Sequence, residues 1–170
     1  MRLDKWAVTA QEALQAALGI AGDVEASEVA PTHLLKALLD SNERNLRSIL
    51  EKIGADPDTI ATQVDQVISK APKVSGAQIG IGNDLLKVIN EAEKLATKLG
   101  DSYVTSEHLL TALANDNTDA GRILRDAGVT AKRVEEVYNE LRGDERVTSQ
   151  DAKPQFEALE QYGRNVTDLA

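Results

Sequence analysis

The chain has 170 residues, a net charge of −9 and a sequence pI near 4.7, and 42% of its residues are hydrophobic, which is enough for a buried core. The excess of Asp and Glu argues against binding to nucleic acid or to an anionic membrane, because both need clustered Lys and Arg. With no cysteine, no apolar run of roughly 20 residues and no signal-peptide pattern, the sequence excludes disulfides and thiolate sites and predicts a cytoplasmic protein.

The first half of the chain predicts four amphipathic helices with an aliphatic core, since aromatic residues make up only 3%. The first helix is predicted over about 5–22, with alanines and a leucine on one face. Pro31 suits the first position of the second helix, and Gly54 suits the end of the third. Asp56 and Pro57 predict the beginning of the fourth.

The second half repeats this order at an offset of about 75 residues. The segment Val29-Ala-Pro-Thr-His-Leu-Leu-Lys-Ala-Leu-Leu-Asp40 matches Val104-Thr-Ser-Glu-His-Leu-Leu-Thr-Ala-Leu-Ala-Asn115 at six of twelve positions. The counterpart of the first helix is predicted over 84–99, and Gly128 repeats the role of Gly54. We therefore predict an all-α fold of about eight helices in two pseudo-symmetric four-helix lobes, residues 1–71 and 84–143, joined by a linker at 72–83.

The end of the chain has no counterpart in the repeat. Residues 143–153 are polar, and Pro154 opens a ninth amphipathic pattern that includes Phe156, Leu159 and Tyr162. Residues 144–170 are therefore predicted to form a partly helical tether toward a further module.

Neither catalytic nor metal chemistry is indicated. The paired His33 and His108 invite a zinc hypothesis, but their repetition favours a role in the fold, where a histidine in the first turn satisfies nearby backbone groups. Gly80-Ile-Gly-Asn-Asp-Leu85 lacks the third glycine of a dinucleotide fingerprint, and no phosphate-binding loop occurs. A small helical enzyme is the disfavoured alternative.

The carboxylates of Asp101 and Glu107 have two interpretations. Exposed acidic groups near helix starts are most often solvated caps. The functional alternative is that both rim an apolar groove and hold a bound chain by hydrogen bonds. Trp6 is interpreted as a packing residue.

Several of these motifs together resemble one family. The matched segments, with Ile123-Leu-Arg-Asp-Ala-Gly128 and Lys98-Leu-Gly-Asp-Ser-Tyr103, resemble the Clp repeats at the N-terminus of Clp-type AAA+ unfoldases. The ending, Arg146-Val-Thr148 and Ala158-Leu-Glu-Gln-Tyr-Gly-Arg-Asn-Val-Thr-Asp-Leu-Ala170, is similar to the segment that joins this domain to the first ATPase module in the ClpB type.

The resemblance implies a non-enzymatic module that captures exposed hydrophobic segments of unfolded or aggregated proteins. It needs no cofactor, while ATP and Mg²⁺ would serve an ATPase module outside this chain. The resemblance also implies a monomeric isolated domain, a homohexameric parent and cooperation with the DnaK system. The alternative is docking of a dedicated adaptor, as in the ClpC or ClpA type.

The residues that the resemblance places in a substrate-binding groove lie at the starts of the first and sixth helices and along the fifth. Ala7 stands where relatives often have threonine, and Glu91 and His108 replace residues that are apolar in some relatives, so the groove is expected to be unusually polar. The full set is Ala7, Ile89, Glu91, Asp101, Glu107 and His108.

Overall fold

The computed structural model describes residues 3–41, 43–76 and 78–142, and these residues form an all-helical fold. The all-α prediction is confirmed. Within these ranges, a 3₁₀ turn, Leu3–Lys5, precedes eight α-helices. They are α1 (Val8–Asp23), α2 (Pro31–Asp40), α3 (Arg44–Ile53), α4 (Pro57–Lys70), α5 (Asn83–Lys98), α6 (Ser106–Ala114), α7 (Asp119–Asp126) and α8 (Ala131–Arg142).

The two matched segments are the central helices α2 and α6, which pack on each other and on most of the other helices. Their shared histidines close the helix starts, as the repetition predicted. The backbone N–H of Ala30 donates to Nδ1 of His33 at 2.9 Å, and that of Thr105 donates to Nδ1 of His108 at 2.8 Å. Each bond gives a partner to the backbone N–H of the capping residue. The conserved spacing between the copies therefore records helix capping and core packing.

The predicted helix ends hold at both glycines. Gly54 and Gly128 have φ values of 93° and 88°, in the left-handed region that ends a helix after α3 and after α7. The Asp56 side chain accepts a hydrogen bond from the Asp58 N–H at the start of α4.

The two repeats interleave and are not separate lobes. Helix α3 of the first repeat packs on α8 of the second, and α4 of the first packs on α7 of the second. Each repeat thus completes the other's core, since short amphipathic helices need an apolar surface to cover their buried faces.

Two short backbone pairings also join the first repeat to the second. Trp6, before α1, forms a parallel bridge with Val104, before α6. At an offset of 75 residues, Ile81, before α5, forms a parallel bridge with Val29, before α2. The hydrogen bonds also correspond, because Ala7 N–H donates to the Val104 carbonyl at 2.8 Å and Gly82 N–H donates to the Val29 carbonyl at 3.0 Å. The chain therefore has an approximate internal two-fold symmetry.

The first pairing explains a difference from the predicted start of α1. Trp6 and Ala7 follow the 3₁₀ turn and pair with the backbone at Val104, so the helix begins at Val8 instead of Lys5. The predicted ninth helix and the tether at 144–170 lie outside the described residues.

Candidate functional site

The starts of α1 and α6 meet, and they bring together four of the six residues expected in the binding groove. We call this region, residues 3–8 and 101–108, the helix-start surface. Ala7 is the N-cap residue of α1 and is only 2% exposed. Beside it, the fully buried Trp6 donates from Nε1 to Glu93 on α5 at 3.1 Å. Trp6 is therefore a packing residue, as predicted from the sequence.

Asp101, before α6, is the centre of a buried ionic network. Arg142, the last residue of α8, donates from Nη1 to Oδ2 at 2.9 Å and from Nη2 to Oδ1 at 2.6 Å. His108 Nε2 lies 2.9 Å from the same Oδ2. All three residues are buried. A two-pronged contact of this kind is the strongest geometry available to an Arg–carboxylate pair.

The backbone fixes the tautomer of His108. Because Nδ1 accepts the Thr105 N–H, the ring proton lies on Nε2, which donates to Asp101. Both ring nitrogens are thus engaged and the residue is 1% exposed, so His108 has no free nitrogen for proton transfer to a ligand.

Tyr138 on α8 packs against two members of this network, His108 and Arg142. Its ring meets the His108 ring edge-on, with centroids 6.2 Å apart, and the Arg142 guanidinium lies 4.8 Å from its centroid. Burial, together with the charge of Glu107, raises the pKa of the Tyr138 hydroxyl. The Arg142 guanidinium is also buried, which lowers its pKa, but the hydrogen bonds that it donates to Asp101, together with the nearby charges, outweigh this and the pKa is raised. The guanidinium therefore stays charged.

Glu107 lies in the first turn of α6 and is 2% exposed. Its Oε2 accepts no hydrogen bond from the residues that the structure describes. The interpretation of Asp101 and Glu107 as solvated caps is therefore wrong, because the crossing of α6 by α8 and by the start of α1 covers both side chains. Their role in binding stays a prediction.

The remaining two predicted residues lie elsewhere. Ile89 is fully buried on the core face of α5. Glu91 lines a cavity of about 180 Å³ between α5 and the loop after α6, together with Lys87, Asn115 and Asp116. The structure does not bring Glu91 to the helix-start surface.

Arg142 and Tyr138 were not among the site residues predicted from the sequence. Both lie at positions of α8 that correspond, at an offset of 74, to the apolar Ile68 and Val64 of α4. A polar residue at a core position of one repeat was the available signal. Within the described ranges, no three His, Asp or Glu side chains are grouped as a metal site would need.

A second contact between the repeats also lies at the start of α6. The buried Ser106 hydroxyl donates to the carboxylate of Glu43, the residue at the N-cap position of α3, and its distance to Oε2 is 2.7 Å. The start of α6 is thus held by α3, α8 and the segment before α1.

The sequence of this chain matches a known protein family. The sequence model of the Clp repeat (R) N-terminal domain matches residues 5–157. The chain belongs to the Clp repeat N-terminal domain family. It is 37% identical over 162 residues to the chaperone protein ClpB of Corynebacterium glutamicum, an alignment that covers 94% of this chain and 19% of that protein. The chain thus spans about a fifth of the length of this curated relative.

Solved structures share the fold of this Clp repeat domain. The Hsp104 N-terminal domain from Candida albicans superposes with a TM-score of 0.76 at 23% identity, covering 86% of this chain and 97% of that one. A ClpV N-domain in complex with a VipB peptide gives a TM-score of 0.65 at 19% identity, covering 81% and 86%. The matched region is the Clp repeat domain, a non-ATPase part of such proteins. No helix in the described part of the chain has the length and apolar character needed to cross a bilayer.

Proposed function

We propose that this Clp repeat domain captures exposed hydrophobic segments of unfolded or aggregated proteins at the helix-start surface. The parent would be a ClpB-type disaggregase, a cytoplasmic homohexameric ATPase that works with the DnaK system. The isolated domain would be a monomer without catalytic activity. Similarity to ClpB over 94% of the chain supports the proposal.

One observation about the helix-start surface carries the proposal. Leu3 and Val8 are 43% and 39% exposed, on either side of the buried Trp6–Ala7 pair. An exposed leucine and valine beside fixed backbone give a small apolar contact that many sequences could use. Weak contacts of this type become effective when a ring presents several copies.

The buried carboxylates contribute by shaping this surface. Asp101 holds α8 against the start of α6, and Glu107 places a negative charge below the surface. In this proposal the apolar residues contact the client, and the polar network fixes the positions of α1 and α6. Rigid placement of the contact residues lowers the entropic cost of binding.

The proposal is tested by titration with a chemically unfolded protein, such as a reduced and alkylated one. Trp6 is the only tryptophan, so its fluorescence reports directly on the helix-start surface. We expect Leu3→Ser to weaken binding several-fold. The matched control is Leu18→Ser, because Leu18 is similarly exposed, at 37%, but lies near the other end of α1. Equal binding by both variants and the wild type would contradict the proposal.

Docking of a dedicated partner is the second candidate function. It is favoured by the ClpV N-domain, which has the same fold and is described in complex with a VipB peptide. In that case unfolded proteins of unrelated sequence would not compete with one another for the domain, whereas general capture requires that they do.

A further inference from the structure

The first repeat contains a cavity at the position where the second repeat has its ionic network. At an offset of 75 residues, Ala26 stands where Asp101 stands. At the offset of 74 that relates α4 to α8, Ile68 and Val64 correspond to Arg142 and Tyr138. The cavity has a volume of about 270 Å³, and Ala26, His33, Val67 and Ile68 are among the residues that line it. A cavity of ~150 Å³ already holds benzene, so this one has room for a branched or aromatic side chain.

His33 brings an unused polar group to this cavity. Its Nδ1 accepts the Ala30 N–H, which places the ring proton on Nε2, as in His108. His108 donates that proton to Asp101, whereas Nε2 of His33 has no hydrogen-bond partner among the described residues. The residue is 4% exposed and is one of those that line the cavity. Burial lowers the pKa of His33, so the ring is neutral and can only offer one N–H donor there.

The rim of the cavity is acidic. The exposed side chains of Glu28, Asp84 and Asp119 line it, and none of the lining residues in the described part of the chain is Lys or Arg. Asp119 also meets Arg122 at 3.2 Å, so Glu28 and Asp84 supply most of the unopposed negative charge. This rim repels a carboxylate. A carboxylate ligand is therefore not expected to bind beside His33 in the place that the Asp101 side chain takes beside His108 in the second repeat.

We propose that this cavity is a second peptide-binding site, selective for an extended basic segment. An apolar side chain enters between Ala26, Val67 and Ile68, and a backbone carbonyl accepts the His33 Nε2–H. A neighbouring Lys or Arg faces Glu28 and Asp84. The inference deepens the proposed function, on which it rests for the peptide nature of the ligand.

The test compares two synthetic peptides by NMR, one with the sequence Gly-Lys-Leu-Val-Lys-Gly and one with Glu in place of both Lys. We expect the Lys peptide to shift the His33 side-chain signal and the backbone signals of residues 26–33 and 67–72. The Glu peptide should leave them unchanged. Replacing Glu28→Gln together with Asp84→Asn should weaken the Lys peptide about fivefold. The matched control, Glu12→Gln with Glu140→Gln, removes two exposed charges elsewhere and should not.

A second variant tests the cavity itself. Ala26→Asp with Ile68→Arg copies the second repeat into the first, so that the new carboxylate accepts the His33 N–H and the side chains fill the space. We expect this double variant to lose the peptide response; should it fail to fold, the Glu28 and Asp84 variant decides alone.

The outcomes separate this inference from the proposed function. Equal affinity for the Lys and Glu peptides overturns the inference. So do shifts confined to residues 3–8 and 101–108, although these would support the proposed function. No response to either peptide or to an unfolded protein overturns both.

Discussion

Asp101 and Arg142, 41 positions apart, form a fully buried two-pronged ion pair that joins the loop before α6 to the last turn of α8. A buried pair of this kind contributes little net stability relative to apolar residues, but loss of one partner leaves an uncompensated charge. The internal symmetry offers an apolar version of the same site, because the first repeat has Ala26 and Ile68 at these positions.

The stability losses of the two single variants of this pair should not add up in the double variant. We expect Arg142→Ile to lower the free energy of unfolding by about 3 kcal/mol, since Asp101 stays buried and charged. Asp101→Ala should cost a similar amount. The double variant, which copies Ala26 and Ile68, should be more stable than either single variant. Urea unfolding followed by circular dichroism measures all three, and strictly additive losses would argue against the pair.

The double variant also separates two roles for Asp101. If Asp101 acts only by positioning α8 and α6, a stable Asp101→Ala, Arg142→Ile chain should retain most of its affinity for an unfolded protein. Loss of affinity in a chain with unchanged stability would instead indicate direct contact between Asp101 and the client.

The Glu107 carboxylate is expected to lower the stability of the fold and to favour binding of an unfolded protein. Because its Oε2 is buried without a hydrogen bond from the described residues, replacing the charge by Glu107→Gln should leave helicity intact and raise the midpoint of thermal unfolding. The affinity for an unfolded protein should fall. Glu and Gln have nearly the same side-chain volume. A fall in both stability and affinity would therefore indicate that Glu107 has a structural role only.

The two helix-ending glycines should cost stability when replaced, whereas a third glycine should not. Gly54→Ala and Gly128→Ala should each lower the free energy of unfolding by about 1 kcal/mol, because both residues have positive φ and a methyl group there meets no neighbouring atom that could compensate. Gly19→Ala is the control. Gly19 lies inside α1 with open space around it, and the change should raise stability by up to about 1 kcal/mol.

Acid should weaken the fold through His33. Burial lowers its pKa in the folded chain below 6.5, so the unfolded chain takes up the proton at a higher pH. Above about pH 6.5 the histidine is neutral in both states; as the pH falls below that value, only the unfolded state gains from protonation and stability is lost.

The measurement compares urea unfolding at pH 7.5 and pH 5.5, a window above the ordinary range of carboxyl groups. His33→Asn should show a smaller loss between the two pH values than the wild type. The comparison is made within each variant, so the lost contact with Ala30 cancels. An unchanged pH dependence would contradict the assignment.

Much of the fold was accessible from the sequence because its determinants are local. Pro31, Asp56, Gly54 and Gly128 act on the backbone within one turn, and the repeated histidines cap the helices that contain them. The interleaving of the repeats was not accessible in the same way. Nothing in the pattern of α3 says whether it covers α2 of its own repeat or α8 of the other, since both offer aliphatic faces.

The candidate site was less predictable for the same reason. Asp101 and Glu107 follow the pattern of exposed acidic caps, and only the packing of α8 and of the segment before α1 removes them from water. The partner that decides the state of Asp101 is Arg142, at the far end of another helix. Its position could be noticed only by comparing the two repeats for a polar residue where the other copy is apolar.

The paired bridges, Trp6 with Val104 and Ile81 with Val29, have the geometry of an isologous dimer whose two chains have been fused. In such an arrangement each half exchanges a segment with the other, so neither half can unfold while the other stays intact. The domain should therefore melt in one transition. Cutting the chain within residues 75–78, outside the segment that pairs with Val29, should leave two fragments that stay associated and that fold only when both are present.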